Sequence, residues 1–96
     1  MYAAIRQVKV KPGSADALAE LTRGVIPIIS GVSGFMGYYV IYAPDDRVTA
    51  ISIFNTVAEA QESNRLALGW IEENLGPFIV GTAIATAGPV IVHSLP

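Results

Sequence analysis

The segment Phe35–Tyr42 is apolar in both of its alternating sets of positions, and this pattern constrains the fold more than any other feature of the chain. Successive side chains of a β-strand point to opposite faces of a sheet, so two apolar sets predict that both faces are covered. The segment Val48–Phe54 has the same two-sided pattern in its centre. We therefore expect a sheet that a single layer of helices cannot bury.

Four segments rich in β-branched and aromatic residues are predicted to form the strands. They are Tyr2–Val10, Phe35–Tyr42, Val48–Phe54 and Pro89–Ser94. The second and third are antiparallel, because only the short connection Ala43–Asp46 joins them. Residues 78–87 fit a loop, a short helix or the start of the last strand.

Two helices are predicted between these strands from apolar spacing and capping signals. The first begins at Ser14, whose hydroxyl is expected to accept hydrogen bonds from the free amides of the first turn, and Pro27 should kink it. The second spans Val57–Leu75, and Thr56 and Glu59 have the spacing of a capping box at its start.

The element order is therefore βαββαβ, which predicts an α+β fold. Right-handed crossovers give a ferredoxin-like domain over residues 1–96, with a four-stranded antiparallel sheet and both helices on one face. Hydrophobic residues make up 52% of the chain, more than a small monomer needs for its core. We expect the uncovered sheet face to pack against a second copy, in a homodimeric α+β barrel.

Composition excludes several classes of function. Lys and Arg total only 6, they are scattered, and the net charge is -2, so we expect no nucleic-acid partner. The absence of cysteine excludes disulfides, iron–sulfur clusters and thiolate catalysis. One histidine, His93, cannot build a metal site alone, so we expect neither a metal nor another cofactor.

Residues 74–96 carry no charged side chain and are long enough to span a bilayer. Glycines and prolines interrupt this segment, which favours a buried turn followed by a dimer-facing strand. The first ten residues lack a continuous apolar core, so we expect no signal peptide. The sequence thus predicts a cytoplasmic protein without a membrane partner.

Short motifs follow one another along nearly the whole chain: Lys11-Pro12-Gly13, Gly34-Phe35, Tyr38-Tyr39, Ser52-Ile53-Phe54, and Ala60, Ser63-Asn64, Ala67 and Trp70 on the second helix. In their order and spacing the chain resembles the antibiotic biosynthesis monooxygenase domain family of the dimeric α+β barrel superfamily. The resemblance implies a homodimer with facing sheets and a small-molecule cavity between sheet and helices. Some members oxidise polycyclic aromatic substrates without metal or flavin. Others degrade heme through an axial histidine on the second helix, which has none here.

The second helix supplies four candidate site residues. Asn64 lies within an apolar stripe, and a buried amide is costly unless it is paired. It bonds either a ligand carbonyl or peroxide oxygen, or a backbone group near Pro27 or a sheet edge. Trp70 shares a face with Ser63 and Ala67, so the indole would close a pocket above small residues; ordinary core packing is the alternative.

Two strand residues complete the candidate site. Arg6 interrupts the first strand, and if it points inward it would hold a substrate oxyanion. The alternative for Arg6 is an inter-subunit ion pair with Asp45, Asp46 or a glutamate. Tyr39 is one of three tyrosines on both faces of the second strand, where it would position a ligand ring or pack in a dimer interface.

Two functions fit these residues. The first is a cofactor-independent monooxygenase that acts on a small apolar or aromatic molecule, with Asn64 and Trp70 as catalytic donors to the developing oxygen charge. Tyr39, Arg6, Ser63 and Ala67 would then bind the substrate. The alternative is a non-catalytic small-ligand-binding or interaction module on the same dimer, favoured by the lack of any general base beyond His93.

Overall fold

The sheet has four strands in the spatial order Gly37–Tyr42, Arg47–Phe54, Tyr2–Val10 and Ile79–Pro89, with every neighbouring pair antiparallel. The structure of the protein is a computed structural model, and it describes residues 1–96. In chain order the elements are β1 (Tyr2–Val10), α1 (Ala15–Leu21), α2 (Ile26–Ser30), β2 (Gly37–Tyr42), β3 (Arg47–Phe54), α3 (Val57–Asn74) and β4 (Ile79–Pro89). The predicted α+β, ferredoxin-like fold is confirmed.

The first helical region is broken rather than merely kinked. A 3₁₀ turn, Thr22–Val25, separates α1 from α2, and Pro27 lies in the first turn of α2, where its missing N–H costs no hydrogen bond. The predicted side-chain cap at Ser14 is wrong, because its hydroxyl donates to the Lys11 carbonyl at 2.6 Å. With φ −89° and ψ 2°, Ser14 lacks the extended backbone that aims an N-cap hydroxyl at the helix amides.

The capping box of α3 is confirmed. The Thr56 hydroxyl accepts from the Glu59 backbone N–H at 3.2 Å, and the Glu59 carboxylate accepts from the Thr56 N–H at 3.0 Å. Gly34 lies against this cap with φ +78°, and a Cβ built on it would be 2.2 Å from Glu59 Oε1. Any other residue at position 34 would therefore have a strained backbone and would displace the Glu59 carboxylate from this cap.

The last strand lies earlier in the chain than predicted. It covers Ile79–Pro89, so the prediction Pro89–Ser94 is wrong, and most of the ambiguous segment 78–87 is strand. The reason is pairing: this segment lies along the full length of β1, and Pro89 is already opposite Tyr2. Beyond it only the Val90 N–H finds a partner, the Met1 carbonyl at 3.0 Å. Residues 91–96 form an exposed tail.

The two faces of the sheet have different surroundings. On the face toward the helices, Ala4 and Phe54 pack with Ala60 and Ala67 of α3 in the main core cluster. The opposite face, which we call the outer face, carries Ile5, Tyr39, Ile41, Ile51, Ile53 and Ile84. Its edge residues are strongly exposed, 52% for Ile41 and 69% for Ile84. The expectation that a second copy covers this face stays a prediction.

None of the helices is both long and apolar enough to cross a membrane. The expectation of a cytoplasmic location stays a prediction.

Candidate functional site

A small void lies between α3 and the inner face of the sheet, with a volume of about 30 Å³. Its lining is largely apolar and includes Arg6 from β1, Tyr38 from β2, and Ala67 and Trp70 from α3. A void of this size holds about one or two water molecules, or the oxygen-bearing end of a larger molecule.

A larger cleft of about 310 Å³ opens between α1 and the edge strand β2. Ten residues line it, eight of them hydrophobic, among them Leu18, Ile26 and Tyr42. The cleft and the void share four lining residues: Thr22, Tyr38, Val40 and Val48. The cleft therefore leads from the surface to the wall of the void, and the two form one candidate site.

Arg6 is the most unusual residue of this site, because it is only 2% exposed. It shares the helix-facing side of β1 with Ala4, and its guanidinium donates from Nη1 to Asn64 Oδ1 at 3.0 Å and from Nη2 to Ser52 Oγ at 2.8 Å. The Nε–H has no hydrogen-bond partner. A buried charged donor without an acceptor costs roughly 1–3 kcal/mol or more.

No carboxylate balances the charge of Arg6. The ion pairs of the chain are Arg47 with Asp45, at 3.3 Å, and Arg65 with Glu62. Burial lowers the pKa of Arg6, and the neighbouring Tyr38 opposes this shift. The guanidinium nevertheless keeps its charge at neutral pH. Arg6 also faces the helices rather than the outer face, where we expect the second subunit.

Tyr38, and not Tyr39, is the tyrosine of the site. Tyr38 lies opposite Ser52 on the helix-facing side of the sheet, whereas Tyr39 is on the outer face and 62% exposed. Burial raises the pKa of Tyr38, and the Arg6 guanidinium acts in the opposite direction. Because its net pKa is raised, the phenol is a neutral hydrogen-bond donor at physiological pH. The sheet register sets this orientation, because Ser52, the partner of Tyr38, is two residues from the inward-facing Phe54.

Asn64 contacts the site through Arg6. Its Oδ1 accepts from that guanidinium, and its Nδ2 donates to the Thr86 backbone carbonyl of the edge strand β4 at 2.9 Å. This is the sheet-edge bond that the sequence left open as an alternative. Neither Asn64 nor Ser63 lines the void, and the Ser63 hydroxyl donates back to the Ala60 carbonyl at 2.7 Å.

Trp70 and Ala67 both line the void, and their spacing predicts one shared helix face. The Trp70 ring packs on the backbone of Gly24, where an added Cβ would be 3.2 Å from Cζ2. The ring also contacts both core clusters. Trp70 therefore closes the void on one side and joins α3 to the turn between α1 and α2.

The family model "Antibiotic biosynthesis monooxygenase" matches residues 1–66, about two thirds of the chain. The chain belongs to this family. No curated protein matches the sequence significantly.

Solved structures share the fold of this antibiotic biosynthesis monooxygenase domain at low sequence identity. A monooxygenase from Streptomyces coelicolor, in complex with the ligand Nanaomycin D, has 20% identity and a TM-score of 0.75, covering 99% of this chain and 91% of its own. A protein of unknown function from Nitrosomonas europaea has 18% identity and a TM-score of 0.77, over 99% and 93%. A mutant of MhuD with two manganese protoporphyrin IX molecules per active site has 15% identity and a TM-score of 0.77, over 100% of both chains.

This antibiotic biosynthesis monooxygenase domain offers no donor set that fits a metal or an axially ligated heme. No group of three or more His, Asp or Glu side chains converges anywhere in the described chain. Helix α3 has no histidine, and His93 lies in the exposed tail, outside the lining of the void. The site chemistry is therefore that of a cation, a phenol and an indole around apolar walls.

Proposed function

We propose that the chain is a monooxygenase-like enzyme that oxidises a small aromatic molecule with O₂ and without a bound cofactor. The observation that carries the proposal is an apolar cleft that shares a wall with the void beside the buried, unbalanced cation Arg6. In this arrangement the aromatic ring lies in the cleft between α1 and β2. Its oxygen-bearing end reaches the void beside Arg6 and Trp70.

The reaction needs an electron-rich substrate, because the protein supplies no redox group of its own. A phenol with a free para position reacts with O₂ to give a quinone and water: one oxygen atom becomes the new carbonyl, and the other leaves with the O–H and C–H hydrogens. Arg6 would stabilise the ionised substrate oxygen, from which electron transfer to O₂ starts. Trp70 and the apolar lining would exclude water from the reactive intermediates.

Family membership and the related structures support this proposal. The Streptomyces coelicolor relative is a monooxygenase and was solved with Nanaomycin D. The alternative function is a binding module with the same site and no turnover. It is favoured by the lining of the void, which includes no His, Asp or Glu side chain.

A polycyclic phenol tests the proposal directly. With 1-naphthol, we expect the protein to consume O₂ and release 1,4-naphthoquinone in equal amounts, measured with an oxygen electrode and by absorbance. Arg6→Met should lower kcat/KM roughly 10²- to 10³-fold, as expected for loss of one donor to a developing oxyanion. The control Arg65→Met removes the same charge from an exposed ion pair and should leave the rate unchanged. Binding of 1-naphthol without O₂ consumption would instead favour the binding module.

We also propose that the outer face forms a homodimer interface. Six large apolar side chains project from it, and three isoleucines of the central strands lie between the exposed residues of the two edge strands. A monomer rarely exposes so continuous an apolar surface. A second copy, related by a twofold axis, would cover it with the same residues.

Sedimentation tests the dimer. We expect a stable dimer at micromolar concentration with an interface of at least roughly 2,000 Å², because obligate interfaces reach that size. Ile41→Lys should convert it to monomer or aggregate, because it places a charge on an exposed part of the apolar surface. Leu21→Lys, which adds the same charge to an exposed position of α1, is the control and should stay dimeric. A folded wild-type monomer at these concentrations would overturn the proposal.

A further inference from the structure

All eight carboxylates of the chain lie away from Arg6. Asp45 pairs with Arg47, Glu62 pairs with Arg65, Asp46 accepts from the Tyr42 hydroxyl, and Glu59 belongs to the capping box. The other four are exposed on α1 and α3: Asp16, Glu20, Glu72 and Glu73. The interior thus holds one positive charge with no negative charge beside it, although buried charges are normally paired.

The guanidinium is held in place and still has free donors. It has five N–H groups, and the structure pairs one on Nη1 with Asn64 and one on Nη2 with Ser52. Both acceptors are neutral. The Nε–H is buried and has no partner. An anionic oxygen is the partner that such a planar, fixed cation lacks, because carboxylates and ionised hydroxyls accept its strongest hydrogen bonds.

From these observations we infer that the site binds an organic anion: an apolar, ring-sized body carrying one carboxylate or ionised enolic or phenolic hydroxyl, whose anionic oxygen pairs with Arg6. The inference deepens the proposed function, since it names the substrate class of the same site. The dimensions fit, because the void of about 30 Å³ admits an oxyanion and the cleft of about 310 Å³ admits the body. The neutral phenol of Tyr38 lines both spaces and is a second donor there.

A matched acid and alcohol test the role of charge. The probes are 3-phenylpropanoate and 3-phenylpropanol, which share the ring and the linker and differ in the anionic group. Binding is followed by NMR at the indole N–H of Trp70, the only tryptophan of the chain and part of the lining. At neutral pH we expect the acid to bind roughly 10- to 100-fold more tightly than the alcohol, the difference made by one charge-assisted hydrogen bond.

Two variants assign this preference to Arg6. Arg6→Met should lower the affinity for the acid to that for the alcohol and leave the affinity for the alcohol unchanged. Asn64→Asp keeps Arg6 and gives it a carboxylate from within the chain, so it should also abolish the preference for the acid. Arg65→Met removes an exposed charge and should keep the full preference. Because the wild-type comparison needs no variant, poor folding of either substitution leaves the test intact.

Equal affinity of the wild type for acid and alcohol, or no binding of the acid at low millimolar concentration, would overturn the inference. Retention of the preference in Arg6→Met would do the same. The outcome is independent of turnover. Tight binding of the acid by a protein that oxidises no phenol would support the anion site and remove the oxygenase function. Oxidation of 1-naphthol by a protein that binds acid and alcohol equally well would support the oxygenase function and overturn the anion site.

Discussion

Gly34→Ala is expected to lower the free energy of unfolding by about 2–4 kcal/mol, a large fraction of the stability of a chain this small. Two effects add. The backbone at Gly34 has φ +78°, a conformation in which a Cβ is strained. The new methyl would also overlap the Glu59 carboxylate, 2.2 Å away, and push it off the Thr56 N–H that it caps.

Gly69→Ala is the matched control. Gly69 lies in the interior of α3, and nothing lies within 4 Å of the Cβ position. Alanine there should raise stability by about 0.5–1 kcal/mol, because glycine costs backbone entropy in a helix. Chemical denaturation of both variants gives the comparison. A Gly34→Ala protein as stable as the wild type would mean that the cap and the preceding chain do not pack as described.

Asn64→Leu is expected to lower the free energy of unfolding by about 2–4 kcal/mol and to weaken the binding of 3-phenylpropanoate. Leucine fits the apolar surroundings, but it leaves two partners without a hydrogen bond: the Nη1 of Arg6 and the Thr86 carbonyl. One of these is a buried charge, for which the loss of an acceptor is especially costly. Freed from Asn64, the guanidinium would also lose its fixed orientation in the void.

Asn74 provides the control on the same helix. Its side chain donates to the Trp70 carbonyl one turn back, at the exposed end of α3. Asn74→Leu should therefore change the stability by less than about 0.5 kcal/mol, as is usual for surface substitutions. Denaturation curves and the NMR binding assay measure both variants. If Asn64→Leu were as stable as Asn74→Leu, the bridge from α3 through Arg6 to the sheet would contribute little to the fold.

The elements that could be predicted from the sequence are those determined by local signals. The hairpin between β2 and β3 follows from a short connection between two apolar segments, and the structure confirms its antiparallel pairing. The start of α3 follows from Thr56 and Glu59, whose reciprocal bonds are local to one turn. The element order βαββαβ followed from these and led to the correct fold.

The position of β4 could not be predicted from its own sequence, because that sequence has only a weak propensity for strands. Alanines and glycines dominate the centre of Ile79–Pro89, whereas the following Val90–Val92 looks more like a strand. The pairing partner determines the position of β4 instead. The free edge of β1 pairs along the length of Ile79–Pro89, and Tyr2, the first residue of β1, lies opposite Pro89. A distant strand thus overrode local propensity.

Only part of the candidate site could be predicted, again because contacts between distant residues determine the rest. Arg6, Ala67 and Trp70 line one void. The helix spacing predicted one face for Ala67 and Trp70, whereas strand alternation left Arg6 either pointing inward or in an inter-subunit ion pair. Tyr38 lines the void, whereas Tyr39 lies on the outer face, a position that suits its alternative role in a dimer interface. The sequence did not separate the two, because both tyrosines suit a two-sided strand. The bond between Arg6 and Asn64 joins residues 58 positions apart, so no local pattern could reveal it.

The sheet order has a consequence for how the chain reaches its fold. Strand β1 is made first but lies in the centre of the sheet, between β3 and β4. The hairpin of β2 and β3 closes a short loop, whereas β1 must close one long loop to pair with β3 and a longer one to pair with β4. Such non-local pairing slows folding. Until β4 joins, one edge of β1 stays open, and the bond from Asn64 to Thr86 that steadies Arg6 cannot form.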